Sequence, residues 1–266
     1  MPSLIALEDV QLVLGGYQAL RNVSVEFPEG GSSVIMGPSG CGKSTLLKVA
    51  AGLIPPDSGR VLFRGEDIAW FSDRKMTEMR KRNGFVFQDA ALWENKTIFD
   101  NLALPIQVHF PKVPASEVKE RVVRALERGG LMDSMAQRPA QLSGGERKIA
   151  SFLRAMILEP KWVFLDEPTM SVDHEAASRI LEMIRELKAR ACTIIAVTHE
   201  PELTSMIADH LVVLDAGVIL AAGPFDSVKT EADPRVRSIL ARVLGQAAAY
   251  DADLLSLLGG GAQDEG

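Results

Sequence analysis

Cysteine is scarce in this chain of 266 residues: Cys41 and Cys192 are the two. Neither has metal-ligand spacing, which argues against a disulfide framework and fits a reducing compartment. An excess of positive charge is missing as well. With 29 Lys and Arg against 35 Asp and Glu, the net charge of −6 is a poor basis for wrapping nucleic acid, which asks for a basic face. The dense cationic run "RKMTEMRKR" (74–82) reads as the solvated face of a helix. Long apolar runs are lacking too. Stretches such as "HLVVLDAGVILAAG" (210–223) carry an Asp or Gly midway and alternate as strands do, short of the roughly 18 uninterrupted residues of a membrane helix. The opening "MPSLIALEDV" shows no basic region followed by an apolar core, the pattern of a signal peptide. No segment repeats, so each motif occurs once.

Apolar residues are plentiful at 47%, enough to bury the core of one large α/β domain or a domain with a lobe. The first third reads as strands. "SVEF" (24–27) stops at Pro28, "SSVIMG" (32–37) enters a glycine loop, and "GRVLFRG" (59–65) sets β-formers between glycines. A helix is predicted from Thr45 to Ala51, ending at Gly52 and the Pro55-Pro56 pair. From Thr97 to about Leu158 the pattern turns helical, broken at Pro105, Pro111, Pro114 and Pro139, as in an inserted helical lobe. Alternation then returns, with buried strands at "WVFLD" (162–166) and "CTIIAVT" (192–198), a helix over 174–190, and a hairpin around Asp215-Ala216-Gly217. Apolar strands alternating with helices imply a parallel sheet covered on both faces. Two short helices are expected in 224–247, with a frayed end after them.

"GPSGCGKST" (37–45) matches G-x-x-x-x-G-K-[ST] at Gly37, Gly42, Lys43 and Ser44. Glycines let backbone N–H groups turn inward around a phosphate. The helix opening at the loop's end adds unpaired N–H groups and a favourable dipole. Lys43 supplies charge for β- and γ-phosphates, and the Ser44 hydroxyl suits Mg2+. Further on, "WVFLDEPT" ends a buried strand at Asp166, with Glu167 next. Ligands gather at the carboxyl ends of parallel strands, which places Asp166 for Mg2+ through water and Glu167 for polarising an attacking water. Gln88, closing a strand expected over 84–88, and His199, after "CTIIAVT", stand at strand ends as well. Gln88 is expected to reach Mg2+ or the water, and His199 the γ-phosphate.

"LSGGE" (142–146) fits a capping box: Ser143 caps the N3 amide and Glu146 reaches back to the Ser143 amide. A helix start of this kind also exposes N–H groups, which is another anion site. It lies far along the chain from Lys43. If it meets a phosphate, the natural target is the nucleotide of a second copy, in a head-to-tail dimer where each lobe closes the other's cradle.

The ordered set "GPSGCGKST", Gln88, "LSGGE", "VFLDEPT" and His199 resembles the ATP-binding cassette family, over about residues 4–223. That resemblance implies an α/β fold: a P-loop NTPase (RecA-like) core with a parallel sheet, an N-terminal antiparallel β subdomain and an inserted helical subdomain. The nucleotide-binding domain would span 1–223, its helical subdomain about 97–158, and a C-terminal helical tail 224–266. The family's chemistry is ATP hydrolysis with Mg2+, by a homodimer that sandwiches ATP. Integral membrane permease subunits are the implied partners, with a substrate-binding or Mce-type lipid-binding subunit beside them and no nucleic acid. The implied location is peripheral, at the cytoplasmic face of the inner membrane. Residue by residue, Glu167 resembles the catalytic base, His199 the switch histidine and Gln88 the glutamine that senses both nucleotide and partner. Gly37, Pro38, Ser39, Gly40, Cys41, Gly42, Lys43, Ser44 and Thr45 match the phosphate loop, with Lys43 also counted as catalytic. Ser44, Gln88 and Asp166 match the metal set, and Ser143, Gly144, Gly145 and Asp173 the positions that complete the opposing site.

Several positions depart from the family pattern. Glu146 stands where Gln is commoner, and Ile149 where an arginine is common. Leu14 takes the place of the aromatic that stacks on adenine, with Tyr17 three residues later, so base selectivity is expected to be weak. Met170 in "MSVD" (170–173) replaces a serine of the dimer contact, while Asp173 is kept. Two segments, "FVFQDAALWENKTIFDNLALPI" (85–106) and "ADPRVRSIL" (232–240), resemble cassettes of Mla/Mce-type lipid transporters. Trp93 and Phe99 are expected to form a groove for a partner's helix. The competing readings are a cassette serving another cargo, and a soluble cassette acting on ribosomes or DNA. Proteins of the latter kind carry paired cassettes, a long coiled-coil insertion or basic arms, which this chain lacks.

Overall fold

In the computed structural model, which describes residues 2–231 and 233–245, the chain builds two sheets of different character. The first is antiparallel. β1 (Ser3–Leu14) and β2 (Tyr17–Pro28) form a long hairpin, with Leu14 paired to Tyr17 across the turn Gly15-Gly16. Both turn glycines have positive φ, +58° and +82°, as a tight two-residue hairpin needs. β4 (Ser58–Phe63) pairs with β1, and the short β5 (Glu66–Asp67) completes this sheet.

The second sheet comprises β3 (Ser32–Met36), β6 (Asn83–Val86), β7 (Trp162–Asp166), β8 (Thr193–Val197), β9 (His210–Asp215) and β10 (Val218–Pro224). Its order is β10-β9-β3-β8-β7-β6, and every pairing is parallel except that of β9 with β10. The expected parallel sheet is therefore mixed at one edge. The turn at Asp215-Ala216-Gly217 is too short for a parallel crossover, so β10 folds straight back.

Successive side chains of the parallel strands serve two cores. Val34, Leu165, Ile194 and Val213 enter one cluster; Ile35, Phe164, Ile195 and Val212 enter the other. The first core takes in α3 (Ile98–His109), α4 (Ala115–Gly129), α5 (Gly144–Met156), α6 (His174–Ala189) and α7 (Pro201–Ile207). The second is closed by β1, β2 and α1 (Lys43–Ala50). Burial on both faces is why these strands read as unbroken apolar runs. In α4 the buried residues Val118, Val122 and Leu126 recur every fourth position, the stripe of a helix lying on a core.

The cationic run forms α2 (Asp73–Lys81), which buries Met79 and leaves Arg74 and Arg80 exposed, as a solvated face should. The two helices expected after residue 224 are α8 (Phe225–Lys229) and α9 (Pro234–Gly245). The frayed end lies outside the described residues. Among the described residues, no helix is long and apolar enough to cross a membrane.

Candidate functional site

The site grows out of the carboxyl end of β3. Its five residues are all buried, and the chain leaves the sheet as the loop 37–42 before α1. Close approach decides two of the glycines. A Cβ at Gly37 would sit 2.0 Å from Leu214 O, and one at Gly42, where φ is +109°, 2.6 Å from Ala19 O. The turn between β9 and β10 joins the same junction. Gly217 N donates to Cys41 O, Arg21 N donates to Gly217 O, and a Cβ at Gly217 would lie 2.8 Å from Ala19 O. The loop's crest is open by contrast: at Gly40, φ +76°, a Cβ would meet nothing within 4 Å.

Lys43 is buried, and its Nζ donates to Gly37 O and Pro38 O, both at 2.9 Å. The ammonium therefore folds back over its own loop onto two neutral acceptors. Ser44 Oγ donates to Asp166 Oδ1 at 2.7 Å, linking the first turn of α1 to the end of β7. Among the described residues no group of three or more His, Cys, Asp or Glu side chains could hold a metal. The Ser44–Asp166 pair still fits Mg2+, which takes one or two carboxylates and completes its octahedron with substrate phosphates and water.

Glu167 follows Asp166 with a left-handed backbone, φ +47°, uncommon for a residue with a side chain. Its N–H donates to Val197 O at 2.9 Å, fastening the turn to β8. Glu167 is 7% exposed, and burial pushes its pKa from the ordinary 4.5 up to about 7, against the pull of the His199 backbone N–H and the Lys43 charge. His199 Nε2 stands 3.3 Å from Glu167 Oε1. Burial, and after it the Lys43 charge, lowers the His199 pKa. Lys43, Ser44, Asp166, Glu167 and His199 thus converge from the start of α1 and the carboxyl ends of β7 and β8.

Gln88 differs from expectation. β6 ends at Val86, and Gln88 lies two residues further, exposed in a bend. Its Nε2 donates to Met170 Sδ at 3.6 Å, on the loop that follows β7.

The capping box at α5 is present: Ser143 Oγ accepts from Glu146 N at 3.2 Å, and Glu146 Oε2 accepts from Ser143 N at 2.8 Å. Ser143 and Gly144 are exposed, whereas Gly145 is buried. A Cβ at Gly145 would lie 2.7 Å from Asp173 Oδ2 and 2.8 Å from Ala176 Cβ. Asp173 in turn caps α6, its Oδ1 accepting from Ala176 N at 2.9 Å. Among the described residues no hydrogen bond joins residues 143–145 to the loop around Lys43.

Trp93 and Phe99 separate. Trp93 is 55% exposed, its backbone held by buried Asn101 through bonds of 2.8 and 3.2 Å, while Phe99 packs against the core. Leu14 and Tyr17 are both exposed at the hairpin tip. Sequence reasoning missed Lys148, which is 3% exposed and donates from Nζ to Phe87 O and Gln88 O. A lysine among Gly145, Ile149 and Phe152 on the apolar face of α5 was the signal. A cleft of about 1280 Å³ lies elsewhere, near the amino ends of β7 and β8, lined by Arg121, Met156, Lys161 and Cys192.

An anion at this end of the sheet finds a natural place at the open crest of the loop, before Lys43 and the first turn of α1, with the acid pair behind it. Such an arrangement at the carboxyl ends of a parallel sheet defines a P-loop nucleoside triphosphatase. The family model for ABC transporters matches residues 20–170. The chain is 37% identical over 240 residues to the intermembrane phospholipid transport system ATP-binding protein MlaF of Escherichia coli (strain K12), covering 90% of this chain and 88% of that protein. It is 34% identical over 242 residues to the methionine import ATP-binding protein MetN of Brucella abortus, covering 91% of this chain and 65% of that one. The solved dimeric post-hydrolysis state of the cassette MJ0796, bound to ADP and Pi, matches with a TM-score of 0.76 at 27% identity, over 83% of this chain and 98% of that chain. This chain belongs to the ABC transporter family and is an ATP-hydrolysing cassette. Cassettes of the family bind ATP, dimerise and work with membrane permeases.

Proposed function

We propose that this cassette hydrolyses ATP to drive phospholipid transport through integral membrane permease subunits. Residues 1–223 act as the nucleotide-binding domain, with about 97–158 as its helical part and 224–266 as a tail. Lys43 exchanges the carbonyls of Gly37 and Pro38 for the β- and γ-phosphates, trading neutral acceptors for charged ones that bond about twice as strongly. Backbone N–H groups from Gly37 to Thr45, among them those of Ser39, Gly40 and Cys41, line the rest of the phosphate path, and Pro38 shapes its entry. Ser44 and Asp166, with Gln88, would hold Mg2+, which would neutralise charge on the phosphates. Glu167 takes the proton of the attacking water, and its pKa near 7 suits a base working at neutral pH. His199 orients Glu167 and donates to the γ-phosphate. Ser143, Gly144 and Gly145 offer the amino end of α5 to the nucleotide of a second copy, and Asp173, packed on Gly145, ties that surface to the acid-pair loop.

The cargo reading is carried by the near end-to-end similarity to MlaF, together with the "DPRV" segment at 233–236. It places the cassette peripherally at the cytoplasmic face of the inner membrane, beside a Mce-type or other substrate-binding subunit. The exposed ring of Trp93 is the anchor for the permease. Similarity to MetN favours a second reading, import of a small solute. Purifying the cassette with its membrane partners and reconstituting the complex separates them. Phospholipid should stimulate hydrolysis and move between membranes; stimulation by methionine alone would overturn the lipid reading. Trp93→Ala should abolish copurification while leaving ATP affinity of the isolated cassette unchanged. Lost affinity would assign Trp93 to packing instead.

A further inference from the structure

Residues 87–91 carry Gln88 out of the sheet, and no ladder supports them. Four of their five carbonyls are nevertheless held by cations. Lys148 Nζ donates to Phe87 O at 3.3 Å and to Gln88 O at 2.5 Å. Arg154 donates to Ala91 O at 2.8 Å and to Ala90 O at 3.5 Å. Ala91 has a positive φ, +50°, a conformation an alanine keeps only when its surroundings hold it.

Both donors belong to α5, the helix that opens with Ser143-Gly144-Gly145. Burying a cation is unfavourable unless hydrogen bonds compensate it, and here the hydrogen bonds from both side chains go to one loop. Burial lowers the proton affinity of both side chains, and for Lys148 the carboxylates of Asp166, Asp89 and Glu167 oppose that effect. Charge-assisted bonds are stronger than neutral ones, and the two to Gln88 O and Ala91 O are the short ones of the four. A loop gripped at both ends by one helix is restrained to follow that helix.

We propose that Lys148 and Arg154 are positioning residues: they clamp residues 87–91 to α5, so that Gln88 and the amino end of α5 shift as one body. The clamp rests on the roles proposed above for Gln88 and for residues 143–145. It gives the permease-facing loop a direct mechanical hold on the surface offered to the second copy's nucleotide.

A double-mutant cycle on the full-length cassette, assembled with its membrane partners, tests this. Lys148→Met keeps the stem and removes the donor, and Lys148→Arg restores charged donation. Lys148→Met should lower kcat roughly tenfold to a hundredfold, the usual cost of a displaced catalytic group. Lys148→Arg should recover most of it. In a Gln88→Ala background, Lys148→Met should change kcat by less than about twofold, because its effect passes through Gln88. Equal factors in both backgrounds, or an unchanged kcat in Lys148→Met alone, would overturn the clamp. Gln88→Ala is read by itself first: a wild-type rate there removes the proposed role of Gln88 and the clamp with it, whereas a slowed rate with multiplicative effects removes the clamp only. If Lys148→Met does not fold, Lys148→Gln, which keeps a neutral donor, takes its place in the same cycle.

Discussion

Replacing Glu167 by glutamine should stabilise the nucleotide-free protein by an amount that grows with pH. Glu167 is 7% exposed, and burial raises its pKa from 4.5 to about 7. A displacement of that size is worth on the order of 3 kcal/mol. A carboxyl whose folded pKa lies above its unfolded one contributes its full stability below about pH 4.5 and loses it as pH rises towards 7. Below the window both states hold the proton, and acid and amide are nearly equivalent. Within it the unfolded chain releases the proton and the folded chain keeps it, so the wild type loses up to about 1.4 kcal/mol per pH unit relative to the amide. Urea unfolding of both proteins at several pH values between 4 and 8, without nucleotide or Mg2+, measures the effect. The gap should widen by about 3 kcal/mol across the window and be flat on either side. His199 titrates in both proteins and cancels to first order. Hydrolysis by the variant should fall by about 10²- to 10⁴-fold. A pH-independent gap would refute the reasoning. So would a gap that closes as pH rises, which would mean that Lys43 and His199 hold the carboxylate charged.

Two further expectations concern the rim of the site. Gly145→Val must lift α5 from α6, because a Cβ there falls 2.7 Å from Asp173 Oδ2 and 2.8 Å from Ala176 Cβ. It should cost about 1–3 kcal/mol, seen as a lower Tm by calorimetry, and should abolish ATP-dependent dimers by light scattering; wild-type values in both would sink that packing account. At the hairpin tip, Leu14 offers no ring for stacking, which is worth about 1–3 kcal/mol per base. GTP should therefore be hydrolysed within about threefold of the ATP rate, and strict ATP preference would point to an adenine-reading contact, which Tyr17→Ala would then locate.

Much of the site was legible because its parts are local. The phosphate loop, the Asp166-Glu167 pair and the α5 capping box each occupy a few consecutive residues whose backbone needs write themselves into residue type. The buried strands were legible for the opposite reason: two cores demand apolar side chains on both faces. What stayed hidden depends on partners distant in sequence. β6 is an edge strand paired to β7 alone, and just past Val86 the carbonyls of Phe87 and Gln88 turn to Lys148, sixty-one and sixty residues away. That rotation takes Gln88 out of the expected strand. The fates of Trp93 and Phe99 were equally remote from their own spacing. Asn101, fully buried, ties down the Trp93 backbone and leaves the ring outside, whereas Phe99 falls on the inner side of α3. The antiparallel course of β10 was the easier case, since the short turn before it permits no other.

The junction at Ala19 has a consequence for how the molecule can flex. Gly42 and Gly217 both press on one carbonyl of the antiparallel hairpin, and the backbone of Arg21 is bonded into the same knot. The hairpin tip cannot tilt without dragging the phosphate loop along. A nucleotide lying between tip and loop would meet a gauge of preset span, whatever state the rest of the protein is in. Suppleness must then be sought on the far side, where α3 and α4 meet the rest of the core through buried side chains.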